Sequence, residues 1–214
     1  AFPALPNRQS RDINVSKYRQ RELILIRAFI GIDFDDNCKK YIYELQQKLK
    51  ESARTGRWKY IDNFHLTLKF LDNITPEQKK QIDNIMQNIC LEQNPFTLEI
   101  SKLGFFSGND TIRVLWLGLS GDLRQLGHLA SKISYSLSEI GFAPEKRKYT
   151  PHITIGQDIL FKYPFEQVNN SIGPIRFGPI AVNRLTLFKS EQIQGHRVYT
   201  KISEYPLKSK LQNI

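Results

Sequence analysis

Residues 65–68 read His65-Leu66-Thr67-Leu68, and 87 positions later residues 152–155 read His152-Ile153-Thr154-Ile155. The same pattern, His-aliphatic-Thr-aliphatic, thus occurs twice in a chain of 214 residues that has only four histidines. Strict alternation of polar and apolar residues is the signature of a half-buried strand. On a strand, residues two apart share a face. His65 and Thr67 then point one way and Leu66 and Leu68 the other, and the second tetrad repeats the arrangement. Each strand offers an apolar face to a core and an imidazole with a hydroxyl to the opposite side. Two such units predict two similar lobes, related by an approximate two-fold, that turn both polar faces towards one cleft.

The flanking segments fit a mixed α+β chain. Leu23 to Asp33 is an apolar run read as a buried strand. Asp35 and Asp36 begin a helix carrying Ile42, Leu45 and Leu49, which Gly56 is expected to close. Trp58 to Ile61 is a short aromatic segment, and Phe64 to Leu71 a strand. Thr75 caps a second helix, with Pro76 at its first position and Ile82, Ile85, Met86 and Ile89 on one face. Strands are expected at Phe96 to Ser101 and Ile112 to Leu119. A third helix runs from Asp122 to Gly141, and His152 to Gly156 is a short strand. The C-terminal third reads as strands at Ile175 to Val182, Arg184 to Lys189 and Val198 to Ile202. Antiparallel sheet with helices packed outside is the expected architecture.

Composition narrows the function. The hydrophobic share of 40% excludes wholesale disorder. No stretch approaches the roughly 18 unbroken apolar residues of a membrane span, so a cytoplasmic protein without membrane association is expected. Cys38 and Cys90 form no CxxC pair and read as buried thiols. The net charge of +10 favours a polyanionic partner, chiefly nucleic acid. About +3 of it lies in residues 1–26, a basic leader expected to be poorly ordered or extraneous to the natural chain. Residues 27–214 are expected to form a single bilobal domain that acts as a monomer.

Two imidazoles and two hydroxyls suit phosphate-ester chemistry. Imidazole titrates near neutrality, so one histidine removes a proton while the other donates one. Threonine hydroxyls hydrogen-bond the non-bridging oxygens. HExxH, GxSxG and Walker-type loops are all missing from the sequence, and no Cys/His set has zinc spacing. His128 and His196 have no comparable context and read as surface or packing residues.

At these tetrads the chain resembles the 2H phosphoesterase superfamily, and within it the RNA 2′,3′-cyclic phosphodiesterases, historically called 2′-5′ RNA ligases. The resemblance extends through Arg27-Ala-Phe-Ile-Gly-Ile-Asp33, Arg57-Trp58, Asn63 to Asp72, Arg113-Val-Leu-Trp-Leu-Gly118, Thr150 to Ile155, and Leu187 to Ser190 with Tyr199. It implies a bilobal α+β fold and hydrolysis of an RNA 2′,3′-cyclic phosphate to a 2′-phosphate with neither metal nor cofactor. It implies His65 and His152 as the acid–base pair and Thr67 and Thr154 as phosphate-holding hydroxyls. The pseudo-symmetry of the site leaves both assignments of acid and base open, and His152 as base with His65 as acid is the preferred one. Where the family often has Arg after the second motif, this chain has Gln157, which donates a hydrogen bond but carries no charge. Lys69 shares a face with His65 and Thr67 on a regular strand. It, or Arg147 and Lys148 in the loop before the second motif, is expected to compensate. Trp58, Phe64 and Tyr149 are candidates either for base stacking or for the core. A non-catalytic RNA-binding protein, a 2′-5′ RNA ligase and a 2′-5′ phosphodiesterase are alternatives that use the same cleft.

Overall fold

The computed structural model describes residues 25–145 and 148–208. The basic leader, apart from Leu25 and Ile26, and the candidate Arg147 lie outside the described residues. In chain order the elements are β1 (Ile26–Asp33), α1 (Asp36–Glu51), β2 (Ala53–Trp58), a 3₁₀ turn (Ile61–Asn63), β3 (His65–Ile74), α2 (Pro76–Glu92), β4 (Phe96–Ser107) and β5 (Ile112–Gly121). Then come α3 (Leu123–Ser138), β6 (His152–Phe161), α4 (Phe165–Ile172), β7 (Phe177–Val182), β8 (Arg184–Ile193) and β9 (His196–Pro206).

The helix starts obey their local chemistry. The Asp35 carboxylate accepts from the Cys38 amide at 2.8 Å. Thr75 and Gln78 form a reciprocal capping box with Pro76 in the first turn. Asp122 makes no such cap; its carboxylate accepts instead from the Thr97 amide at 2.9 Å, tying α3 to β4.

Several expected boundaries move, among them the ends of β4 at Ser107, of α3 at Ser138 and of β9 at Pro206. Helix α1 ends at Glu51, and Gly56 lies within β2 rather than at a helix end. A Cβ on Gly56 would stand 2.3 Å from the Ile159 side chain, so packing between β2 and β6 explains this glycine. Strand β6 runs past Gly156 to Phe161. Helix α4 is an element not anticipated from sequence; it is short, and Val168 is its buried residue.

The strands form two sheets with all ladders antiparallel, in the orders β3-β1-β8-β9 and β2-β6-β5-β4-β7. The helices exchange sides. Helix α1 leaves the four-stranded sheet and packs against β2 and β7 of the other, whereas α3 leaves the five-stranded sheet and packs against β3. Helix α2 lies against β9 and α3. One apolar core runs through both layers, from Ile30 and Leu66 to Leu115 and Ile153. Strand β3 forms the edge of its sheet and meets β6 at the seam between the two.

Candidate active site

The two tetrads open β3 and β6, one on each side of the seam. Leu66, Leu68, Ile153 and Ile155 are buried. His65, Thr67, His152 and Thr154 are each half-buried. Both imidazoles are anchored alike: His65 Nδ1 lies 2.7 Å from the Asn63 carbonyl oxygen, and His152 Nδ1 lies 2.7 Å from that of Thr150. A carbonyl only accepts, so Nδ1 carries the hydrogen in both rings and Nε2 is left to exchange a proton. His65 Nε2 is 3.0 Å from Thr67 Oγ1, within the same tetrad.

A second shared feature is an irregularity in the ladder. Thr67 pairs with Gly31 and Lys69 with Ile30, so Leu68 is an extra residue in β3. Thr154 pairs with Trp116 and Gly156 with Leu115, so Ile155 is the extra residue in β6. The fourth position of each tetrad is therefore bulged. A bulge bends its strand and re-aims the side chains beyond it. Gln46 holds the second bulge: its Nε2 donates to the carbonyl oxygens of Ile155 and Lys59, both at 2.8 Å, from a fully buried position on α1.

The bulge corrects one expectation. Strand β3 is not regular, and Lys69 turns in with Ile30 rather than out with His65 and Thr67. Lys69 is 2% exposed, and its Nζ donates to the Ala143 carbonyl at 2.7 Å. Burial pushes its pKa down. Gln157, after the other bulge, pairs with Val114 and Arg57 and is half-buried. Arg57 itself is engaged by Asp158, with Nε to Oδ2 at 2.9 Å.

Aromatic rings frame both histidines. Phe29, Tyr199 and Phe188 have centroids 4.6, 5.0 and 5.9 Å from the His65 ring, and Phe106 lies edge-on to His152 at 5.1 Å. Burial pushes the His65 pKa down to about 4; the Asn63 carbonyl opposes this, and Lys59 and His152 add to the depression. Asp33, opposite His65 in the ladder, is held by Lys201 and Lys39 at 2.6 and 2.8 Å. Those ammonium groups outweigh its desolvation and keep its pKa low.

A cavity of about 380 Å³ opens at the seam, with Thr67, Phe106, Arg113, Lys148, Tyr149 and His152 on its wall. Lys69 contributes to the wall as well. His65 stands beside this cavity at Thr67, and Thr154 lies off the wall next to Trp116. Among the aromatic candidates, Phe64 is fully buried in the core. Tyr149 donates its hydroxyl to the Thr67 carbonyl at 3.0 Å, linking the loop before β6 to β3. Trp58 packs on the core beneath Lys50. Of the other histidines, His196 Nδ1 lies 2.6 Å from the Tyr60 hydroxyl, and His128 is exposed on α3.

Two residues escape a reading of the sequence by pattern. Arg113 reaches the cavity because the β4–β5 register shifts between Phe106–Val114 and Ser107–Ile112. Nothing local in the sequence marks that shift. Gln46 has a readable signal, since it lies four residues after Ile42 and three before Leu49 on the apolar face of α1.

The internal duplication extends beyond the tetrads. The model of the LigT-like phosphoesterases matches residues 32–116 and again residues 117–199. The chain belongs to the LigT-like phosphoesterase family. This phosphoesterase is 33% identical over 184 residues to the RNA 2′,3′-cyclic phosphodiesterase of Thermotoga maritima, covering 84% of this chain and 94% of that one. The RNA 2′,3′-cyclic phosphodiesterase of Escherichia coli is 31% identical over 182 residues, with 85% and 96% covered. The crystal structure of E. coli LigT complexed with 3′-AMP superposes with a TM-score of 0.72 at 26% identity, covering 86% of this phosphoesterase and 99% of LigT. The two matched segments meet inside β5, so they do not coincide with the two sheets.

Proposed function

We propose that this chain hydrolyses the 2′,3′-cyclic phosphate at an RNA 3′ end to a 2′-phosphate. The carrying observation is the pair of equivalently anchored imidazoles, each with Nδ1 fixed on a backbone carbonyl, which leaves Nε2 as the nitrogen for proton exchange. The names of the relatives and the nucleotide bound by E. coli LigT support the same reading.

In this mechanism His152 Nε2 takes a proton from water as its oxygen attacks phosphorus. The P–O3′ bond breaks, and O3′ takes a proton from His65 Nε2. Thr67 and Thr154 donate to the non-bridging oxygens. Arg113 brings the positive charge that Gln157 lacks, and Gln157 serves as a neutral donor. Lys69 and Lys148 add positive potential at the cavity wall, and Arg147 extends that basic stretch in sequence. His65 is neutral in the empty site near pH 7, because its pKa is about 4. An anionic phosphodiester beside Nε2 favours the imidazolium, so the acid form is assembled together with substrate.

We read residues 27–214 as one catalytic unit acting as a monomer in the cytoplasm. Burial of the free thiols Cys38 and Cys90, each pushed up to about 12, fits a reducing compartment. Among the described residues no helix is long and apolar enough to cross a membrane.

End-group analysis of a cyclic-phosphate-terminated RNA, with EDTA present, tests the assignment. The expected product is the 2′-phosphate, with turnover reduced about 10²–10⁴-fold in His65→Ala or His152→Ala. Salt-sensitive RNA binding without turnover would favour the binding-protein reading instead.

A further inference from the structure

A second, smaller cavity adjoins the site. It measures about 100 Å³, and Arg27, Asp72, Ser190, Arg197 and Tyr199 are the polar residues on its wall. Neither arginine has a carboxylate partner among the described residues. Arg197 Nη1 donates to Ser190 Oγ at 3.4 Å. Asp72 is the one carboxylate on the wall. Two guanidinium groups facing one small polar space, with no ion-pair partner among the described residues, make a receptor for a phosphate.

Its position relative to the histidines is specific. Phe29 lines this cavity and lies against the His65 ring, 4.6 Å between centroids, so the cavity is one aromatic ring away from His65. Phe70 lines both this cavity and the larger one that holds Thr67 and His152. It is 60% exposed although it is a large apolar residue in a strand. An exposed ring between two anion-binding spaces is a platform for a base.

We propose that Arg27 and Arg197 bind the phosphate on the 5′ side of the terminal nucleotide, with the terminal base stacked on Phe70. This rests on the cyclic phosphodiesterase reading and adds to it the residues that hold the RNA next to the cyclic end. A 3′-terminal cyclic phosphate has RNA only on its 5′ side, so a second phosphate next to the site belongs to the preceding linkage. The preferred substrate is then an oligonucleotide end, and a free cyclic nucleoside phosphate is used less well.

The test compares kcat/KM for adenosine 2′,3′-cyclic phosphate, which has no 5′ phosphate, with that for the dinucleotide ApA bearing the same cyclic end. The dinucleotide should be preferred about tenfold or more, the scale of one charge-assisted phosphate contact. Raising the salt should shrink this preference in the wild-type protein. The ratio should collapse towards one in Arg27→Ala/Arg197→Ala and be partly retained in Arg27→Lys/Arg197→Lys. Equal use of the two substrates by the wild type at low salt would overturn the proposal, as would a preference indifferent to salt or one that survives the double alanine variant. Failure to turn over either substrate would instead overturn the phosphodiesterase reading on which it rests.

Discussion

Gln46 Nε2 lies 2.8 Å from the carbonyl oxygen of Ile155, 109 residues further along the chain. That carbonyl belongs to the bulged residue of the second tetrad, and the same nitrogen also satisfies Lys59. Removing it leaves two carbonyl groups without this donor. Gln46→Leu should cost about 1–3 kcal/mol. Because His152 and Thr154 stand on β6 directly before this bulge, kcat should fall along with stability. Denaturant unfolding and steady-state kinetics on the same sample check both; full activity at reduced stability would confine Gln46 to a structural role.

Acid should destabilise the protein through His65. Its folded pKa is about 4, against an ordinary value of 6.5. The unfolded chain therefore takes up a proton below 6.5, while the folded chain takes it up only near 4. The contribution is complete above 6.5 and is lost as the pH falls to about 4, amounting to about 3 kcal/mol. Relative to His65→Gln, the wild type should lose that much more stability over this range. Calorimetry in buffers of different ionisation enthalpy gives a companion measurement. Binding of a nucleoside 2′-phosphate near neutral pH should take up a proton, and this uptake should vanish in His65→Gln. Binding without proton uptake would count against His65 as the acid.

The charge at the phosphate is expected to come from Arg113. Arg113→Gln should lower kcat/KM about 10–100-fold, as expected for a hydrogen bond to a charged group. Gln157 and Val114 are opposite each other in the ladder, one residue from Arg113. Gln157→Arg should therefore restore part of the loss in Arg113→Gln. Additive losses in a double-mutant cycle would show that the two positions serve different ends.

Gly31 tests the geometry of the first tetrad. A Cβ at this position would stand 2.7 Å from the Leu66 carbonyl oxygen, in the backbone between His65 and Thr67. Gly31→Ala must push β3 outward, because backbone cannot rotate away. A destabilisation of about 1–3 kcal/mol is expected, with a drop in kcat larger than any rise in KM. Unchanged kinetics would indicate that the placement of His65 tolerates movement of its strand.

Much of this arrangement is legible in the sequence. The alternation in His65-Leu66-Thr67-Leu68 and His152-Ile153-Thr154-Ile155 sorts core from cleft, and Asp35 and Thr75 mark helix starts that the hydrogen bonds bear out. Alternation does not reveal where it breaks. The extra residues at Leu68 and Ile155 arise from pairing with partners far away in sequence, and they decide that Lys69 turns inward. Arg113 is hidden for the same reason, by a register shift between β4 and β5. Gly56 and Gly156 read as ends because a glycine in isolation signals a turn. Their neighbours Ile159 and Trp58 show that the lack of a side chain serves packing.

The exchange of α1 and α3 between the sheets gives each matched half of the chain custody of a layer that the other needs. Cleaving the polypeptide between residues 116 and 117 would sever β5 and leave neither fragment with a complete sheet and its covering helix. The two strands that carry His65 and His152 are thus held together by the same contacts that keep the molecule folded. A jaw-like opening that carried one imidazole away from the other would have to strip a helix from its bed, so a ligand is expected to reach the seam from the rim and not through a hinge.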